Sequence, residues 1–243
     1  MASTLDFLKL TDRYELKARL LPALLAVLVG APGAAAVLSS AQLGWLTNLL
    51  TGGGLATVCP VALAYFASAA GRRYERKIWP RWPYDSPTNR WLNPNDATCS
   101  QQQKELWYAA IRETTGIDIP RVAAKGDQEE LGRVINDAVR ALRTFFRGKE
   151  GHGLLATHNE DYGFARNLAG MWLVWLPLSI SSVVAAWLSY VVEGTGLSWG
   201  VMATAILLVC LILLRALPGY VRQRADRYAE SFFGMLPRVM SHP

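Results

Sequence analysis

The stretch "MWLVWLPLSISSVVAAWLSYVVEGTGLSWGVMATAILLVCLILL", Met171–Leu214, contains a single charged residue, Glu193. A helix crosses a bilayer in ~20 apolar residues, so this run has room for two passes. Its centre, "EGTGLSW", is short, polar and glycine-bearing, as a turn between two spans requires. The run reads as a transmembrane hairpin. Outward from it, Arg166 and Arg215 are the nearest basic residues on either side. The same pattern occurs once more: no Lys or Arg lies between Arg19 and Arg72. The sequence thus predicts an all-α polytopic membrane protein with four transmembrane helices arranged as two hairpins. The expected spans are 20–40, 44–70, 169–192 and 198–217.

Composition agrees. Of 243 residues 51% are hydrophobic and 18% charged, against ~25% charged in soluble domains. The formal net charge is +6, and its placement says more than its size. Apart from Arg215 at the end of the fourth span, every Lys and Arg falls in an N-terminal arm (1–19), a central insert (72–168) or a basic C-terminal tail (218–243). Two hairpins, 20–71 and 169–217, put all three on one side, and the positive-inside bias makes that side the cytoplasm. The expected location is the bacterial inner membrane, with both termini and the insert cytoplasmic. The first span followed by "GAAA" has the outline of a cleavable signal, but Asp6, Asp12 and Glu15 in the preceding arm argue against that reading. Cys59 and Cys210 fall within spans and Cys99 in the insert, so no disulfide framework is implied.

The insert predicts a small cytoplasmic helical layer. The second span is expected to continue as helix through Lys77 and stop before Pro80. From there to Pro94 four prolines predict an extended segment carrying Trp79, Trp82, Tyr84 and Trp91. Ser100 with Gln103 forms a capping box for a helix whose apolar stripe is Leu106, Trp107, Ala110 and Ile111, ended by Gly116. A second helix starts near Asp127 and repeats Leu131, Val134, Ile135, Ala138, Leu142 and Phe145 at helical spacing, with Gly148 suited to its end. This layer is too small to bury a large core alone, and is expected to lean on juxtamembrane helix ends or other subunits.

Candidate chemistry is sparse. The three histidines and one cytoplasmic thiol show no metal-ligand spacing. No nucleophile elbow or phosphate-cradling loop is present, so neither cofactor nor catalytic residue is expected. The glycine-rich "TGGGLAT", Thr51–Thr57, reads as close helix packing through Gly52 and Ala56, with Ala34–Ala36 as a partner surface. Ser179, Ser181, Ser182 and Ser189 are expected to bond back to their own helix, with a serine-lined oligomeric pore as the alternative. Arg72, Arg73, Arg76, Lys77 and Arg81 after the second span, with Arg222 and Arg224 after the fourth, suit lipid headgroups. Arg140, Arg143 and Arg147, with Arg133, share one face of the second insert helix. That face is either solvated or a site for a phosphate-bearing ligand.

"HNEDYGFARNLAG", His158–Gly170, precedes the third span. Asn159 suits an N-cap, Glu160 and Asp161 suit the positive end of a helix, and Tyr162, Phe164 and Trp172 suit an interfacial belt beside a snorkelling Arg166. Glu160 and Asp161 are also expected to meet Arg143 or Arg147 across the glycine-rich connection. The stretch further resembles the signature Glu-Asn-x-x-Tyr-Gly-Phe-x-Arg-Asn-Leu-x-Gly of an uncharacterised family of small bacterial membrane proteins. Asn159, Tyr162, Gly163, Phe164, Arg166, Asn167, Leu168 and Gly170 fit it. Leu142, Arg143 and Arg147 fit a second element, and Pro87, Thr88, Leu92 and Asp96 a third. His158 and Gly148 depart from it, each standing where the pattern has an acid.

The resemblance implies an association with defence-like gene neighbourhoods. The functional expectation is a non-enzymatic membrane homo-oligomer that senses a cytoplasmic ligand or partner and perturbs or signals through the membrane in antiviral defence. Its binding residues would be Arg140, Arg143, Arg147, Asn159, Glu160, Tyr162, Arg166 and Asn167. Its partners would be lipids, itself, and a cytoplasmic protein or phosphate-bearing small ligand, without direct DNA binding. The alternatives are a membrane enzyme acting on lipid or envelope substrates through His158, Glu160 and Asp161, and a scaffold recruiting a cytoplasmic partner.

Overall fold

A computed structural model describes residues 13–40, 55–146, 153–194 and 196–236. Among these, every regular element is helical. The chain forms two compact units, Met1–Glu75 with Glu160–Val221 and Arg76–Asn159 with Arg222–Pro243.

The first unit opens with a π-helical segment, Glu15–Leu20, followed by α1 (Leu21–Leu28) and α2 (Ala31–Ser40). Proline sets this geometry. Pro22 has no amide to give the Ala18 carbonyl four residues back, and its ring crowds that carbonyl. The helix widens there, as π segments do where the regular ladder is interrupted. Pro32 repeats the effect on Leu28, and the first span breaks at Val29–Gly30 with a 46° bend. The straight span expected at 20–40 is therefore two segments. Gly33, whose amide the break leaves without a helical partner, donates to Ser182 Oγ at 2.8 Å. A Cβ on Gly33 would lie 2.5 Å from the Ser182 Cα, so only glycine allows this approach.

The small-residue face of α2 packs against α9 (Trp172–Glu193), where Ala36, Ala186 and Ala203 form one buried cluster. The helix α3 (Leu55–Ile78) contributes its residues up to Glu75 to this unit. Gly52 and the side chain of Ala56, the expected small-residue face, lie outside the described residues. Of the serines, Ser179 bonds back to the Leu176 carbonyl at 2.8 Å, as expected. Ser182 and Ser189 instead reach Gly33 and, at 3.3 Å, the Ala36 carbonyl of the bent span.

Two helices, α9 and α10 (Leu197–Phe233), are long and apolar enough to cross a membrane, and the bent pair adds a third if it is one span. The chain is therefore an all-helical membrane protein. An apolar groove of about 330 Å³ runs beside α10, lined by Leu25, Val29, Trp175, Ile206, Cys210 and Leu217 among others.

The second unit contains the short α4 (Pro87–Arg90), α5 (Gln101–Thr115), α6 (Ile119–Ala123) and α7 (Gln128–Phe146). The caps lie where the sequence puts them. Ser100 Oγ accepts from the Gln103 amide at 3.2 Å, and Gly116 closes α5 at φ 74°. Asp127 accepts from the Glu129 and Glu130 amides, each at 3.0 Å.

Three expectations change. The proline-rich segment, expected to be extended, is a chain of tight turns with the short α4 within it. Its buried Ser86, Thr88 and Asn89 bond one another and bring Trp91 and Leu92 into the core. On α5, Leu106 is exposed and Lys104 is buried. The Lys104 ammonium is capped by the Asn93 and Asp96 carbonyls, and Tyr108 donates to the Leu92 carbonyl at 2.8 Å. Burial pushes the Tyr108 hydroxyl up to about 12.

The third change concerns the segment read as a basic tail. Through Phe233 it is helix, and Ala229, Phe232, Phe233 and Leu236 lie in the core with Trp91, Trp107, Leu131 and Leu142. Trp107 and Phe233 stack with centroids 4.4 Å apart. A juxtamembrane helix end thus supplies the apolar mass the insert lacks.

Candidate functional site

The stretch His158–Gly170 is not the capped start of a span. It forms the last turns of α8 (Gly153–Gly170), so Asn159 lies inside a helix and caps nothing. The break comes after it, at Met171, with φ −77° and ψ 6°. There the Trp175 indole donates to the Leu168 carbonyl at 3.0 Å.

One face of α8 carries a buried polar node of the first unit. Glu75 of α3 is 3% exposed. Its Oε1 receives the Tyr162 hydroxyl at 2.6 Å and Arg166 Nη1 at 3.0 Å. Arg166 Nε donates to Asn167 Oδ1 at 3.1 Å, and Asn167 Nδ2 donates to the Ala18 carbonyl at 2.6 Å. That carbonyl is the one Pro22 deprives of a donor, so Asn167 replaces the missing helical bond. Lys17, on the same π segment, sits 2.7 Å from Asp161 and 3.7 Å from Glu160. Burial works against the Arg166 charge, but Glu75, with Tyr14 and Tyr162 beside it, raises the guanidinium's pKa overall.

Glycines let the helices approach this closely. A Cβ on Gly163 would lie 2.8 Å from the Ala18 Cβ, and one on Gly170 would lie 2.5 Å from the Ala70 and Gly71 backbone. A Cβ on Gly71 would lie 2.0 Å from Asn167 Oδ1. The alternation of polar and small residues in "YGFARNLAG" therefore has a geometric meaning. Tyr162, Arg166 and Asn167 bond across the interface, and Gly163 and Gly170 remove the bulk that would hold it open.

Of the expected binding residues, Glu160, Tyr162, Arg166 and Asn167 fall in this node. Asn159, Arg140 and Arg143 belong to the other unit. Arg140 is exposed, and the Arg143 guanidinium lies 6.0 Å from the centroid of the Tyr228 ring. Arg147 lies outside the described residues. Lys17 meets both acids, Glu160 and Asp161. Arg133 is occupied by Glu129 and Glu130 at 3.1 and 3.2 Å. Tyr162, buried, and Arg166, half-buried, are partners of Glu75 rather than belt and snorkel.

Sequence reasoning missed Glu75, Lys17 and Ala18. Glu75 had one signal, being a lone acid in the basic run "RRYERK".

The acid–base set His158, Glu160 and Asp161 does not converge. Residues two apart on a helix do not face each other, and His158 Nδ1 contacts Ser231 Oγ and, at 3.2 Å, the Arg227 carbonyl. Among the described residues no group of three or more His, Cys, Asp or Glu is placed to hold a metal ion. The headgroup candidates Arg72, Arg73, Arg76, Lys77 and Arg222 are exposed and Arg224 is half-buried. Arg72 also donates to Ser68 Oγ at 2.8 Å.

Compared with protein-family models, curated proteins and solved structures, the chain matches none.

Proposed function

We propose that this protein is a non-enzymatic component of the bacterial inner membrane. It has four spans in two hairpins, with termini and insert cytoplasmic. It works as a homo-oligomer that senses a cytoplasmic ligand or protein and perturbs or signals through the membrane in antiviral defence. The observation that supports this reading is the buried node. It ties the foot of the first span, the end of α3 and the helix leading into α9 through Glu75, Arg166, Asn167 and the Ala18 carbonyl. Polar contacts that are costly to leave unpaired make a joint with few alternative geometries, as a relay requires. A plain lipid-facing bundle has no use for one.

Inducible expression in a bacterium, with a membrane-potential dye and phage plating as readouts, tests the proposal. Wild type should depolarise the membrane or restrict phage. Lys17→Ala, which removes a partly exposed partner of Asp161, should weaken the effect while membrane levels stay equal. A wild-type chain that reaches the membrane and changes neither readout overturns the proposal.

A further inference from the structure

We infer that Arg76, Lys77 and Arg81, together with Trp82 and Tyr84, form a headgroup-level anchor for anionic phospholipid. The inference rests on the proposed topology, which puts the end of α3 at the cytoplasmic leaflet. From Leu55 to Gly71 that helix contains no charged residue, and from Arg72 the sequence turns basic. Arg76 and Lys77 occupy its last turn and are exposed. Cations are favoured there, at the carbonyl end of a helix.

The chain then turns back on itself. Trp79 is buried, and Trp82, half-buried, lies against it with centroids 5.9 Å apart. The Arg81 side chain between them is 81% exposed. Tyr84 is also exposed, and its ring lies 3.3 Å from where a Cβ on Gly132 of α7 would be. Ser86 and Asn89 hold the base of the hook, Asn89 reaching Asn136 at 3.5 Å.

The result is a fixed turn with cations outward and aromatics at its shoulder, the composition that favours membrane interfaces. Asp85 pairs with Arg81 at 2.9 Å, and exposed Arg76 adds positive charge to the same segment. Charge complementarity therefore points to a phosphate-bearing headgroup. The tryptophans pack on the protein and each other rather than offering open faces, which disfavours base stacking and so a single-stranded nucleic acid.

Native mass spectrometry of the full chain in detergent, titrated with phosphatidylglycerol or phosphatidylcholine, reads the site. Each basic residue at an anionic surface contributes about 1 kcal/mol, roughly fivefold. Wild type should prefer the anionic lipid by about tenfold or more, and Arg76→Gln/Lys77→Gln/Arg81→Gln should lower that preference by about tenfold or more. Arg76→Lys/Arg81→Lys should keep it, as should Arg112→Gln/Arg121→Gln on the far helices. Should the triple variant fail to fold, Arg76→Gln and Arg81→Gln alone should each lose about fivefold. The inference is overturned by a glutamine variant that keeps the wild-type preference. It is also overturned by soluble glycerol phosphate or a short RNA displacing the lipid from wild type. Protease access to the Lys125–Gly126 turn in oriented vesicles tests the topology separately, so a wrong orientation is not mistaken for a failed site.

Discussion

Glu75 lies among Arg72, Arg73, Arg76 and Lys77 in sequence, yet its carboxylate bonds to none of them in the node. The helix turns those cations outward and Glu75 inward, where Arg166 and Tyr162 converge on one oxygen. A buried carboxylate deprived of its cation is a stranded charge, and such losses cost about 3–5 kcal/mol. Arg166→Ala should therefore lower the detergent melting temperature far more than Arg133→Ala, whose pairs are exposed and worth about 0–1 kcal/mol. Glu75→Gln in the Arg166→Ala background should recover part of the loss, because the stranded charge is gone. Melting curves of wild type, Arg133→Ala, Arg166→Ala, Glu75→Gln and the double variant decide it, and additive losses would show that the pair is not a unit. At this scale the sequence was half legible. Tyr162, Arg166 and Asn167 were identifiable because a simple cap does not need them. Their partners were not, since Glu75 lies 91 positions from Arg166 and Ala18 lies 149 from Asn167, and nothing local marks a long-range contact.

Among the elements, local rules were readable and long-range ones were not. Ser100, Asp127 and Gly116 fix helix ends through atoms within a few residues, and the structure has those ends where expected. Lys104 and Leu106 exchanged places because helical spacing alone could not say that two carbonyls wait for an ammonium. The bend in the first span was implicit in Pro22 and Pro32, but what fills the freed bonds was not. Asn167 and Pro22 should be energetically coupled. With Pro22 in place the Ala18 carbonyl depends on Asn167 Nδ2. In Pro22→Ala a backbone amide becomes available to it, and the π segment can tighten to α. Asn167→Ala should then be costly in wild type and much milder in the Pro22→Ala background. The coupling should lie within ~0.5–3 kcal/mol, the range found for residues sharing a partner. A double-mutant cycle on detergent unfolding measures it, and a coupling near zero would remove Pro22 as the cause of the π segment.

The whole molecule is governed by the distribution of charge along the chain and by the length of α10. Its 37 residues rise about 55 Å at 1.5 Å each, well beyond a ~30 Å hydrocarbon core. The apolar half ends near Leu217, and the remainder carries Arg222, Arg224, Asp226 and Arg227 into a unit whose core it completes. The C-terminal half of α10 must therefore share a compartment with the insert. The hairpin reading adds that Glu193 and Gly194, at the turn between α9 and α10, face the opposite side, and the Lys and Arg bias names the insert's side as cytoplasmic. Phosphatase fusions, active only outside the cytoplasm, should be active at Gly194 and inactive at the C-terminus. A fluorescent protein at the C-terminus should light up. Phosphatase activity at the C-terminus in the intact chain would place the insert outside. It would then separate the arginine-rich surfaces from any cytoplasmic ligand and remove the sensing reading with them.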